Sequence, residues 1–206
     1  MSENSRVIKA AGIVGAAAFL SRILGFVRDV VIAWFLGAGF SSDAFIAAFR
    51  IPNLFRRLFA EGSLSSAFIP TFADFMVNKG QAEAFGLARS AFRLLSIFLI
   101  TLIIGGILFA PGIARVIAPG FAADKLSLTV SLIRLMFPYL FFVGMLALCM
   151  GILNVLGHFT APALAPVLLN SVIIASVFFL SPYLTRPVIA LAVGVLVGGF
   201  MQLALQ

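Results

Sequence analysis

The chain has 206 residues, 63% of them hydrophobic and only 10% charged, with a mean hydropathy of +1.19. Soluble domains carry about 25% charged residues, so a water-facing surface is excluded and hydrocarbon is the solvent this composition fits. The net charge of +7 belongs to anionic headgroups and cytoplasmic loops rather than to nucleic acid, because the arginines are scattered through apolar sequence and the longest basic run is Arg56-Arg57. At about 20 residues per helical span, the expected fold is an all-α polytopic membrane protein with about six transmembrane helices.

The N-terminus is polar, with Arg6 and Lys9, and is followed by an apolar run. A signal peptide would have this pattern, with Ala16-Ala17-Ala18 as its small-residue site, but apolar sequence resumes at once after Arg22. The better reading is one long helix over 9–36, carrying Arg22, Gly25, Arg28 and Asp29 in its middle and ended by Gly37-Ala38-Gly39. The next segment, 44–77, is broken at Pro52 and at Gly62-Ser63, and holds Arg50, Asn53, Arg56, Arg57 and Glu61. It reads as a bent or two-piece helix whose irregular middle lines protein or water, since exposed non-helical backbone in lipid leaves amides unpaired.

The later spans are cleaner. They are expected over 94–114, 126–153, 162–180 and 187–205, separated by Pro119-Gly120, by the turn from Asn154 to His158, and by Ser181-Pro182. Arg6, Lys9, Lys79, Arg89 and Arg93 fall on one side of this arrangement, against Asp43, Arg115, Asp124, Lys125 and Arg186 on the other. The positive-inside rule therefore places the N-terminus in the cytoplasm.

Ionisable residues at membrane depth carry most of the information. An Arg or Asp at a helix centre costs about 2.5–3.5 kcal/mol, so Arg22, Arg28 and Asp29 are not expected to face lipid. The second segment adds Asp43, Arg50, Arg56, Arg57 and Glu61, which predicts a hydrated, cationic cleft between two neighbouring helices. Two readings stay open. The five arginines exceed Asp29, Asp43 and Glu61 by two, which an anionic ligand could offset, and a guanidinium fork suits phosphate. Alternatively the charges neutralise one another, as the i,i+4 pair Arg57 and Glu61 could.

Other features are weaker. Cys149 reads as a small buried hydrophobe, His158 as a polar loop residue, Gly194 and Gly198 as a helix-packing GxxxG, and Arg134 and Arg186 as snorkelling near the outer interface. Asn53 beside Pro52 is either a cap on freed backbone groups or a sugar contact. No P-loop, HExxH, GxSxG or Ser/His/Asp pattern is present in the sequence, and a single His excludes most multi-His metal sites. A non-enzymatic protein without cofactor or metal is therefore expected.

The run from Ser21 to Asp29, Ser-Arg-Ile-Leu-Gly-Phe-Val-Arg-Asp, is followed by Gly37-Ala38-Gly39, Asp43-Ala44-Phe45 and Pro52-Asn53-Leu54-Phe55-Arg56-Arg57-Leu58-Phe59-Ala60-Glu61-Gly62. Together with Ala118-Pro119-Gly120-Phe121 and Pro162-Ala163-Leu164-Ala165-Pro166, this closely resembles the N-terminal region of the MurJ (MviN) lipid II flippase family, of the multidrug/oligosaccharidyl-lipid/polysaccharide exporter superfamily. The resemblance implies a two-lobe transporter of the bacterial inner membrane, of which residues 1–206 form the N-terminal lobe and the C-terminal lobe is missing. Its substrate would be the undecaprenyl-pyrophosphate-linked peptidoglycan precursor, moved by alternating access. The implied substrate-binding residues are Arg22, Arg28, Arg56, Asp29, Asp43, Asn53 and Glu61. Implied partners are that lipid-linked precursor, membrane lipids and the missing lobe. Exporters of another polyprenyl-linked sugar or of drugs, and a non-transporting membrane scaffold, are the competing functions.

Overall fold

The computed structural model describes the backbone of residues 3–60 and 63–206 and the side chains of 12–59 and 67–206. Glu61, named above as a site residue, and Arg6 and Lys9, used for orientation, lie outside the described side chains. Among the described residues the structure is helical throughout, as the composition requires.

Helix α1 (Glu3–Leu36) runs 34 residues, about 51 Å at 1.5 Å per residue, which exceeds the roughly 30 Å hydrocarbon core. It ends where Gly37 takes φ +59, a left-handed conformation that glycine adopts without steric cost. Helices α2 (Phe40–Ala60) and α3 (Ser63–Asn78) form the second, two-piece segment. Pro52 sits inside α2 and is buried, and Pro70 sits inside α3.

Helix α4 (Gln81–Leu108) begins well before the apolar run that starts at Leu94, because its first turns hold helix-forming but polar residues such as Gln81, Glu83 and Arg89. It stops at Phe109, two residues before Pro111, and the short helix α5 (Ala110–Ile117) carries that proline in its first turn. The segment expected as one span over 126–153 is one apolar stretch, Ala123–Val155, made of two helices, α6 (Ala123–Met136) and α7 (Tyr139–Val155). Pro138 has no N–H to continue the ladder, and the chain crosses this point through tighter bonds, from the Leu140 amide to the Phe137 carbonyl (2.9 Å) and from the Phe141 amide to the Pro138 carbonyl (3.1 Å). Gly157, at φ +79, turns the chain into α8 (Thr160–Phe179), and a 3₁₀ turn (Ser181–Tyr183) leads to α9 (Val188–Leu205).

Among the described residues, four helical stretches are long and apolar enough to cross a membrane: Gln81–Leu108, Ala123–Val155, Thr160–Phe179 and Val188–Leu205. The described parts of α1 and α2 fall short of that measure because they hold the charged residues singled out above.

Helix α7 is the most buried element. Tyr139, Leu140 and Val143 pack with Leu132, Ile133 and Met136 of α6, with Leu191 and Val195 of α9, and with Ala44 and Ala48 of α2. A smaller cluster joins Phe72, Ala84, Ala88 and Ile152 where α3, α4 and α7 meet. Helices α8 and α9 make the most extensive pairing, helped by glycines. A Cβ on Gly194 would collide with Ser176, one on Gly198 with Leu169, and one on Gly199 with the Tyr139 ring. Helix α1 lies along α8 and barely touches α2. That divergence leaves a cleft with α1 and α8 on one side, α2 on the other and α7 and α9 at its base.

Candidate functional site

Ser21, Gly25 and Arg28 recur at helical spacing, so they share the face of α1 that borders this cleft. Arg56 enters from α2, Tyr139 and Val143 from α7, Asn170 from α8 and Gln202 from α9, around a volume of about 250 Å³.

Arg28 is fixed on two sides. Its Nε and Nη2 donate to Asp29 Oδ1 at 3.0 and 2.6 Å, and its Nη1 donates to Asn170 Oδ1 at 2.9 Å. Asn170 in turn donates from Nδ2 to the Ser21 carbonyl at 3.2 Å, which ties α8 to α1. The amide packs closely on α1 at Gly25, where a Cβ would lie 3.5 Å from Asn170 Nδ2, an ordinary van der Waals contact. A guanidinium has five N–H donors, so three are engaged and one each remains on Nη1 and Nη2. The Arg28 side chain is 25% exposed and Asp29 66%, so the ion pair is open to solvent and weak as a stability device, while the guanidinium is held in a set plane at the cleft.

Arg56 is half-buried, and its Nε and Nη2 both donate to Asn53 Oδ1 at 3.3 Å, one turn earlier on α2. Asn53 therefore orients an arginine, a role beyond the cap or sugar contact considered from sequence. Among the described residues no cluster of His, Cys, Asp and Glu could hold a metal ion.

The structure brings together Arg28, Asp29, Arg56 and Asn53 of the residues expected from sequence. Arg22 is exposed on α1, seven positions from Asp29 and on the face beside the one that lines the cleft. Asp43 is elsewhere: near the start of α2 it accepts from Lys125 Nζ at 2.5 Å, ten residues or about 15 Å along the helix from Asn53. With Asp43 committed to Lys125, the five arginines of α1 and α2 exceed Asp29 and Glu61 by three, where the sequence count left two.

Three polar cleft residues on α7, α8 and α9 escaped the sequence reading: Tyr139, Asn170 and Gln202. Asn170 and Gln202 are neutral amides inside runs without formal charge, and that isolation in apolar sequence was the available signal.

A second, apolar groove lies between α2, α4 and α5, about 560 Å³ in volume and lined by Leu54, Phe55, Phe98, Gly105 and Phe109 among others. Beside it Arg134 Nε donates to the free Ile107 carbonyl near the end of α4 at 3.3 Å.

Comparison with known proteins adds the following. A family model described as "Lipid II flippase MurJ" matches residues 32–206. The probable lipid II flippase MurJ of Buchnera aphidicola subsp. Schizaphis graminum is 42% identical over 202 residues, covering 97% of this chain and 39% of that protein. The lipid II flippase MurJ of Burkholderia cenocepacia is 42% identical over 189 residues, covering 91% and 37%. Among solved structures, a lipid II flippase MurJ in an inward closed conformation is similar with a TM-score of 0.77 and 29% identity, over 93% of this chain and 41% of that one. Arg22, Arg28 and Asp29 precede the stretch matched by the family model, while the Buchnera relative aligns with nearly the whole chain. The chain spans about two-fifths of the length of these relatives. It belongs to the MurJ lipid II flippase family and is a multi-pass protein of the bacterial inner membrane.

Proposed function

We propose that the chain is the N-terminal, arginine-bearing lobe of a transporter that carries the undecaprenyl-pyrophosphate-linked peptidoglycan precursor across the inner membrane by alternating access. The observation that carries the proposal is the meeting of Arg28 from α1 and Arg56 from α2 in one cleft, beside the polar side chains of Tyr139, Asn170 and Gln202. Two guanidinium groups held in fixed planes offer paired donors to a pyrophosphate, whose charge offsets the local positive excess.

In this reading Asp29 and Asn53 set the planes of Arg28 and Arg56. Arg22 lies one face over, where an incoming anion meets it first. Glu61 limits the positive excess, while Asp43 neutralises Lys125 and not the arginines. The remaining three-fifths of the relatives' length supplies a second lobe that closes the cleft. The N-terminus is cytoplasmic, so α1 runs outward and the Asp43–Lys125 pair marks the outer end. The step is movement and not bond chemistry, and the lobe acts without catalytic groups.

A purely structural role for the cleft is favoured by one observation: Arg28 spends three donors on protein partners. Complementation separates the two. In cells depleted of their own lipid II flippase, the complete gene carrying this sequence is expected to restore growth, and Arg28→Ala and Arg56→Ala to lose it at unchanged membrane levels. Arg→Lys at either position keeps the charge but removes the fork, and should be impaired as well. Normal growth with both alanine variants would overturn the anion-binding reading.

A further inference from the structure

Two polar atoms at the base of the cleft are left unpaired among the described residues. Tyr139 is 0% exposed and Gln202 4% exposed, both line the cleft with Arg28 and Arg56, and neither the Tyr139 hydroxyl nor Gln202 Oε1 has a hydrogen-bond partner among the described residues. A buried hydroxyl or amide oxygen left unpaired costs free energy, so its retention needs a reason. The orientation of the Gln202 amide is settled by its other end: Nε2 donates to the Ala165 carbonyl at 2.8 Å, and the flipped amide would set two oxygens against each other. The acceptor is therefore the unpaired end of a side chain that lines the cleft.

The chemistry of the cleft is thus not uniform. Arg28 and Arg56 can only donate, Tyr139 can donate as well, and Gln202 Oε1 can only accept. An anion alone would satisfy the first three and leave the fourth unmatched. We infer that Tyr139 and Gln202 form a second binding pair in the cleft: the Tyr139 hydroxyl donates to the anionic group, and Gln202 accepts from a hydroxyl or amide N–H carried next to it. The ligand class this selects is a polyprenyl pyrophosphate bearing a sugar, not the bare pyrophosphate. The inference rests on the proposed function and adds two specificity-determining residues from α7 and α9 to an arginine pair from α1 and α2.

Neither side chain is replaceable by chance packing. The Tyr139 ring fills the space opposite Gly199, and the Gln202 donor bridges α9 to α8. Tyr139→Phe removes one oxygen and keeps the ring, which makes it the mildest variant. Gln202→Met keeps length and removes both polar ends.

The test measures binding to the protein as its gene encodes it, purified in detergent, with two probes: farnesyl pyrophosphate, and the same pyrophosphate carrying an N-acetylhexosamine. The wild type is expected to bind the sugar-bearing probe more tightly. Gln202→Met should weaken that probe about tenfold, a lost hydrogen bond, and leave farnesyl pyrophosphate within about twofold. Tyr139→Phe should weaken both by about the same factor, roughly three- to tenfold. Equal loss on both probes with Gln202→Met, or no loss on either with Tyr139→Phe, would overturn the inference while leaving the arginine site standing. Should Gln202→Met fail to fold, the Tyr139→Phe arm decides. Failure of the wild type to bind either probe, or unchanged binding of both in Arg28→Ala and Arg56→Ala, would overturn the proposed function and this inference with it.

Discussion

Asn170 is the residue through which α8 controls Arg28, and its worth can be measured. Removing its side chain as Asn170→Ala deletes the 2.9 Å bond from Arg28 Nη1 and the 3.2 Å bond to the Ser21 carbonyl. A hydrogen bond to a charged group is worth about 1.5–3 kcal/mol and a neutral one about 0.5–1.5 kcal/mol in water-soluble proteins. Interhelical bonds in membrane bundles run lower, averaging about 0.6 kcal/mol with a maximum near 1.7 kcal/mol, because the unfolded helices find other partners. Arg28 is partly exposed, which discounts its bond further. The coupling between positions 28 and 170 is therefore expected at about 1–1.5 kcal/mol, the upper half of the membrane range. A double-mutant cycle of wild type, Asn170→Ala, Arg28→Ala and the double variant reads it directly, by reversible unfolding in mixed detergent micelles. The cost of leaving Asp29 without its arginine appears in both Arg28 variants and cancels. Additivity within about 0.5 kcal/mol would refute the claim that the amide holds the guanidinium.

Two adjacent glycines of α4 should answer oppositely to the same change. A Cβ on Gly105 meets nothing, whereas one on Gly106 runs into the Phe137 ring, so Gly105→Ala should be neutral or stabilising by up to about 1 kcal/mol, and Gly106→Ala destabilising by about 1–3 kcal/mol, read as melting shifts in detergent. Asp43→Asn removes an ion pair to Lys125 in which the Asp43 side chain is half exposed, and should cost less than about 1 kcal/mol by the same measurement. The same variant should leave farnesyl pyrophosphate binding unchanged, since Asp43 lies well along α2 from Arg56; a large loss of binding would place Asp43 in the cleft after all.

How much of this was visible in the sequence depended on which physical penalty was being read. Arg28 and Arg56 stood out because a guanidinium in hydrocarbon is costly, and the cost alone put them at a protected surface. Asp29 stood out by the same cost, whereas Asn53 was marked only by its place beside Pro52 and by the family resemblance. Asn170 and Gln202 passed unnoticed because neutral amides do not enter a charge count, although a buried amide needs partners almost as strictly. Asp43 looked like a cavity acid only because Lys125, 82 positions later, could not be seen beside it. The helix breaks followed the same logic. Gly37-Ala38-Gly39 and the turn from Asn154 to His158 were legible as stops, while the division at Phe137-Pro138 was not, since an internal proline can kink a helix as readily as end it. The polar first turns of α4 were missed because apolar content marks the part of a helix that lies in lipid and not the whole helix.

The near absence of contact between α1 and α2 has a mechanical consequence. Helix α1 is carried by α8, and α8 by α9, whereas α2 is seated on α6 and α7, so the two arginines ride on different limbs of the lobe. A lever action that tilts α1 with α8 would change the gap between Arg28 and Arg56 while disturbing almost none of the packing of α2. That gap is thus a natural gauge of the lobe's shape: spin labels on the exposed faces of the two helices, at Val30 and Leu58, would report its opening and closing as a distance.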